Sequence, residues 1–235
     1  MALVLKVKGA NFTNNIGLFL PPQDQLAGHY DFGVSAELSA INRAENGIGS
    51  GEFYGTGFAF DEDSVFLPQD AAENNFFRTT MSEQNSQTVI AAIKDNKYAR
   101  IAYPASQDGY DFEAEGVSDF GLRLTANVGT ATEVNLQQSA GVGTAFNTPA
   151  IFAGRIDGSN GETNLIVRGE NADGVIFSGS KSGGARDFSQ VGLMDFGRKN
   201  SGAGGSKFYE ILVYNKALSD TEMNDVFNYL RTKYF

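Results

Sequence analysis

At 235 residues, with 28 acidic against 18 basic side chains and a formal charge of -10, the chain is long enough to bury one sizeable core and too acidic for a nucleic-acid backbone or an anionic lipid surface to attract it. It has no cysteine, which excludes a disulfide framework and a thiolate metal site and leaves stability to packing. Its 28 glycines against 5 prolines imply many tight turns, and its 19 Phe and 9 Tyr supply bulk suited to pleated sheets.

Residues 3–8 alternate Leu3, Leu5 and Val7 against Val4, Lys6 and Lys8, a half-exposed strand ended by Gly9. The opening apolar run is too short for a signal peptide and lacks a small-residue cleavage pattern. No stretch reaches the ~18 apolar residues of a membrane helix. Residues 11–25 have no periodicity and contain Pro21-Pro22, which sets residues 1–25 apart as an arm ahead of a body at 26–235.

In the body, a short run at 29–32 precedes a polar loop to Gly51, and Phe53, Tyr54, Phe58, Phe60, Val65 and Leu67 follow in short segments split by Gly and Asp. Residues 87–94 are apolar on both faces, which predicts a strand in the middle of a sheet. Asp95-Asn96 has turn chemistry, and 98–103 reads as the returning strand. Strands are expected at 121–125, 132–136 and 150–156, with a turn at 157–161 closing a hairpin onto 164–168. Further strands at 175–178, 191–196 and 208–214 bring the set to about a dozen, the spacing of a two-sheet sandwich, while Gly-rich 178–184 and 200–205 read as loops.

The last strand places Tyr209, Ile211 and Val213 on one face and Phe208, Glu210, Leu212 and Tyr214 on the other. The period then changes. Ser219 and Glu222 have capping-box spacing, Leu218 is placed to staple onto Met223, and Met223, Val226, Phe227 and Leu230 recur at helical intervals. Arg231 and Lys233 lie in the last turn, where the helix dipole favours cations. One amphipathic helix therefore closes a body with no other predicted helix.

The segment Phe208-Tyr-Glu-Ile-Leu-Val-Tyr-Asn-Lys-Ala-Leu-Ser-Asp-Thr-Glu222, followed by Val226-Phe-Asn-Tyr-Leu-Arg-Thr-Lys-Tyr234, resembles the end of laminin-G-like domains of the concanavalin A-like lectin/glucanase superfamily. Leu26-Ala-Gly-His-Tyr-Asp-Phe32, the loop around Asn46-Gly47, and Gly57-Phe-Ala-Phe-Asp61 resemble that family's opening strands. The resemblance implies an all-β, two-sheet antiparallel jelly-roll sandwich with a C-terminal helix, in a family whose members bind carbohydrate or protein and in part cleave glycans. Leu3-Val-Leu-Lys-Val-Lys-Gly-Ala-Asn-Phe12 resembles short leaders on bacteriophage virion proteins that carry such domains. That second resemblance implies a non-enzymatic virion component, in a head or tail fibre or decoration protein. It would be made in the host cytoplasm and be oligomeric in the assembly. Leu3, Leu5, Val7 and Phe12 would dock to other virion proteins, and the sandwich would adhere to host polysaccharide. The alternatives are a glycan hydrolase of the same fold and a free-standing bacterial carbohydrate-binding module.

Asp111, Glu113 and Glu115 have the i, i+2, i+4 spacing that retaining glycan hydrolases on this fold use, but their order departs from Glu-x-Asp-x-Glu. They are read as an acidic loop or edge strand, and no enzymatic activity is expected. His29 is the single histidine and no Gly-x-Ser-x-Gly elbow accompanies it, so it reads as a strand residue rather than a triad base. A zinc site is excluded by the same counts. Calcium stays open because of Asp61-Glu-Asp63 and the 157–160 loop, although neither follows the EF-hand pattern, and no cofactor is expected. For sugar binding, which combines aromatic surface with amides and carboxylates, the candidates are Asn74, Asn75, Arg78, Tyr103, Tyr110 and Asp111.

Overall fold

In the computed structural model, the described residues are 20–69, 75–94, 98–104, 111–115, 122–128, 132–138, 149–185, 192–197 and 204–235. Leu3, Leu5, Val7, Phe12, Asn74 and Tyr110 lie outside them.

The described strands form two antiparallel sheets. The eight-stranded sheet contains β1 (Leu26–Asp31), β3 (Ala59–Phe60), β4 (Val65–Gln69), β6 (Ser86–Lys94), β11 (Ala150–Asp157), β12 (Thr163–Asn171), β13 (Gly174–Gly183) and β15 (Gly204–Tyr214). Their order is β13-β12-β11-β6-β15-β4-β3, with β1 also paired to β15. The seven-stranded sheet contains β2 (Glu52–Tyr54), β5 (Phe76–Ser82), β7 (Tyr98–Pro104), β8 (Asp111–Glu115), β9 (Leu122–Val128), β10 (Thr132–Gln138) and β14 (Leu193–Phe196) in the order β10-β9-β8-β7-β14-β5-β2. A four-residue helix, α1 (Ala36–Ser39), follows β1, and α2 (Asp220–Tyr234) ends the chain. The jelly-roll sandwich with its closing helix is as the sequence implies.

Two cores explain why β6 is apolar on both faces. Val89, Ala91 and Ile93 point into the core between the sheets with Phe77, Phe112 and Phe152, while Ile90 and Ala92 point outward into a second core beneath α2 with Leu212, Val226, Phe227 and Leu230. The capping box at Ser219 and Glu222 is formed in both directions. Leu218 and Met223 are both buried in the second core, as a staple requires.

Four features depart from the sequence reading. First, β7 does not return beside β6; β6 pairs with β11 and β15, and β7 pairs with β8 and β14 in the opposite sheet. Both edges of β6 are taken by longer-range apolar strands, so its successor crosses over. Second, a register shift between Phe208 and Glu210 interrupts β15. This bulge turns Phe208 inward with Ile211 and Val213, and sets Tyr209 on the helix side with Leu212 and Tyr214. Strict alternation had assigned those two aromatics the other way round. Third, the Gly/Ser run expected as a loop is most of β13, because its backbone pairs continuously with β12 whatever its side chains; similarly, Gly204 and Gly205 already belong to β15.

Fourth, α1 is too short for helical periodicity to reveal. Ser35 caps it by accepting from the Leu38 amide at 3.3 Å. Buried Ser39 accepts from the Gly33 amide and donates to the Gly33 carbonyl. A β-carbon on Gly33 would lie 2.6 Å from the Glu62 carbonyl oxygen, so that close backbone approach requires glycine.

Residues 20–25 are held against the body. The Tyr214 hydroxyl donates to the Pro22 carbonyl at 3.0 Å, the Asn215 amide donates to the Gln25 carbonyl, and Lys216 ion-pairs with Asp24.

Candidate functional site

The outer side of the seven-stranded sheet carries Arg78, one of the predicted sugar-binding residues. Along β2 and β5, Phe53 and Phe77 face the inter-sheet core. Their neighbours Glu52, Tyr54, Phe76 and Arg78 therefore take the opposite face. Strand register aligns Glu52 with Arg78, Arg78 with Asp195 and Asp195 with Tyr103, a row across four strands.

Arg78 is the centre of that row. Its Nε and Nη2 donate to the two carboxylate oxygens of Asp195 at 2.7 and 2.8 Å, and Asp195 is fully buried. This two-point contact fixes the guanidinium plane and raises the Arg78 pKa. The guanidinium carbon lies 5.0 Å from the Tyr54 ring centre and 4.9 Å from that of Phe76. Those two rings stack with centres 4.9 Å apart and planes 11° from parallel. The Tyr54 hydroxyl donates to Glu52 at 2.8 Å, a bond that pushes the Tyr54 pKa up. The row thus combines an ordered aromatic pair, a planar cation held by its buried counter-ion, and a surface carboxylate. These are groups that can engage the hydroxyls and C–H faces of a saccharide.

Asp111 also belongs to this sheet, paired with Thr125. In backbone register, Glu113 stands opposite Arg100 and Arg123, and Glu115 opposite Tyr98. The three carboxylates are carried on β8, an interior strand between β7 and β9, not the loop or edge strand that their sequence implied. Phe112 between them is fully buried.

Asn75 serves the fold. It is buried, and its Oδ1 accepts from the Thr56 amide at 2.8 Å. The same oxygen fills the space beside Gly55 (φ +103°), where a β-carbon would come within 1.8 Å of it. Three residues of this site, Glu52, Tyr54 and Asp195, were missed in the sequence. A lone carboxylate inside the apolar run 193–196 was the available signal for Asp195, since such a group needs a cation when buried.

Two other buried carboxylates tie α2 to the sheet. Glu210 accepts from Tyr229 at 2.8 Å, Tyr234 at 2.8 Å and Lys233 at 2.7 Å, and His29 Nε2 lies 2.9 Å from it. His29 is thus a buried β1 residue within this cluster. Burial pushes the Glu210 carboxyl up, but His29 and Lys233 outweigh it and leave the group below the usual carboxylate value. Glu170 is likewise fully buried between Arg168 and Arg231. In the loops considered for calcium, Asp61 pairs with Lys207, and Asp157 accepts from Ser159 and Ser86 to close the β11–β12 turn.

The sequence matches no protein-family model and no curated protein significantly. Solved structures do match. The binding domain of botulinum neurotoxin DC, solved in complex with SialylT, aligns with a TM-score of 0.63 at 13% identity, covering 88% of this chain and 52% of that one. The fold these structures share is a two-sheet β-sandwich. Domain 4 of an extracellular arabinanase from Geobacillus stearothermophilus, in complex with arabinotriose, aligns with a TM-score of 0.57 at 14% identity, covering 87% of this chain and 99% of that one. Trypanosoma rangeli sialidase aligns with a TM-score of 0.56 at 8% identity, covering 89% of this chain and 33% of that one. The sandwich here spans about half the length of the neurotoxin domains it matches.

Proposed function

We propose that this sandwich is a non-catalytic carbohydrate-binding domain carried on a bacteriophage particle, and that it binds saccharide across the Glu52, Tyr54 and Arg78 face. One observation carries the reading: the match to the arabinanase domain runs over 99% of a unit solved with arabinotriose, so the similarity covers a whole binding module rather than a fragment. The buried carboxylates support a non-catalytic role. Asp195, Glu170 and Glu210 are each engaged by cations, which ties them down as structural anions instead of proton donors or nucleophiles. The similarity of residues 3–12 to phage leaders supports placement on a virion, with the arm toward other virion proteins and the sandwich toward host polysaccharide.

A glycan array tests the binding role. The wild-type domain is expected to bind, and Tyr54→Ser to lose that binding while keeping its thermal transition, because Tyr54 is half-exposed and outside both cores. A wild-type domain that binds nothing on the array, or a Tyr54→Ser variant that binds as well as wild type, overturns the assignment.

A further inference from the structure

The Gly/Ser run that forms β13 places serines at every second position. Ser178, Ser180 and Ser182 pair across the sheet with Arg168, Ile166 and Asn164 on β12. Ile166 packs on the helix-side core and the Arg168 guanidinium lies 4.6 Å above the Phe227 ring centre, so these positions share the sheet face that carries α2. The helix does not cover the strand edge, since all three serines are exposed. A groove of about 370 Å³ remains, floored by Ile166, Arg168, Ser178 and Ser180 and walled by Asp220 and Met223 from the first turn of α2. That volume falls at the small end of the ~300–1,000 Å³ typical of small-molecule sites.

We propose that this groove is a second saccharide site, on the opposite sheet from the Arg78 row, and that it takes a short neutral oligosaccharide. The serine ladder spans about 13 Å; Ser182 donates to Asn164 at 2.6 Å, while Ser178 and Ser180 line the groove with hydroxyls that can donate and accept. Met223 and Ile166 provide apolar surface for the C–H face of a sugar ring. Arg168 is oriented by Glu170 and by Asn224, whose Oδ1 accepts from Nη1 at 2.6 Å. Charge selects the class. Asp220 pairs with Arg155, and Arg168 shares the buried carboxylate of Glu170 with Arg231, so both charged groups at the groove already hold counter-ions within the chain. A purely apolar ligand would bury the serine hydroxyls without partners. An anionic ligand would approach a chain of net charge -10, and Arg168 is already engaged by Glu170 and Asn224.

The inference rests on the carbohydrate-binding reading for its ligand class but not for its location. It is tested by titrating isotope-labelled full chain with cellotriose, xylotriose and arabinotriose, and with trigalacturonic acid as the charged comparison. Amide shifts are expected at 166–168 and 178–182 with at least one neutral trisaccharide, in both wild type and Tyr54→Ser. The double variant Ser178→Val/Ser180→Val, whose β-branched residues suit a strand, should bind roughly tenfold more weakly through loss of two hydrogen-bonding groups. Shifts confined to 52–54 and 76–78 overturn the groove and leave the first site standing. No shift with any neutral trisaccharide, or tighter binding of trigalacturonic acid at the groove, also overturns it.

Discussion

At Glu210 a single carboxylate takes three donors and lies beside His29, and nearly all of its partners come from α2. Removing its charge leaves Lys233 beside Asp31 alone, with the two tyrosine hydroxyls facing a weaker acceptor. Glu210→Gln should therefore cost about 3 kcal/mol at neutral pH, the scale for breaking a buried ion pair, as read from denaturant midpoints. Because the folded carboxyl is held below its ordinary value, its contribution is complete above the unfolded pKa of about 4.3 and disappears as pH falls through the lower folded value. The stability gap between wild type and Glu210→Gln should then narrow on acidification from pH 5 toward pH 2. A gap that stays constant over that range would show that the carboxylate does not titrate against its partners. The contact between Arg78 and Asp195 follows the same physics on the other sheet, but those residues are 117 positions apart in the chain. No local pattern links them, which is why Arg78 was legible as a polar candidate and its counter-ion was not.

Among the elements, α2 was the most legible because its signals are local: cap, staple and apolar stripe all lie within 17 residues of one another. Ser219→Ala removes the hydroxyl that accepts from the Glu222 amide at 3.3 Å and should destabilise the domain by about 1 kcal/mol. Ser219→Asp should recover most of that loss, since a carboxylate accepts the same bond; equal midpoints for Ser219→Ala and wild type would refute the cap's contribution. Strand existence was also readable, since β6, β11 and β12 announce themselves by apolar content and by the turn at 157–161. Pairing was not. The sequence carries no mark of which sheet β7 joins, because crossing over depends on what already occupies both edges of β6. β13 failed for a different reason: serine and glycine have low strand propensity, and only its ladder to β12 makes it a strand. The bulge in β15 likewise depends on distant partners: it falls where one edge of the strand passes from β4, paired as far as Phe208, to β1, paired from Glu210, while β6 holds the other edge.

At the scale of the whole molecule, residues 20–25 bond to the body through Pro22, Asp24 and Gln25. On the virion reading proposed above, deleting residues 1–19 should abolish incorporation into particles while leaving the thermal transition of the sandwich within about 0.5 kcal/mol of wild type. Unchanged incorporation would remove the arm from the docking role. The pairing of β1 with β15 has a further consequence. The first described strand has its ladder partner about 180 residues downstream, since Leu26 pairs with Tyr214 and Asp31 with Glu210, and β6 also waits for that strand on one edge. During translation, neither can complete its sheet until residues 204–214 have left the ribosome. A nascent chain stopped before that point exposes the apolar edge of β6, and the finished domain should refold slowly, on the ms–s scale of β-sandwiches rich in distant pairings.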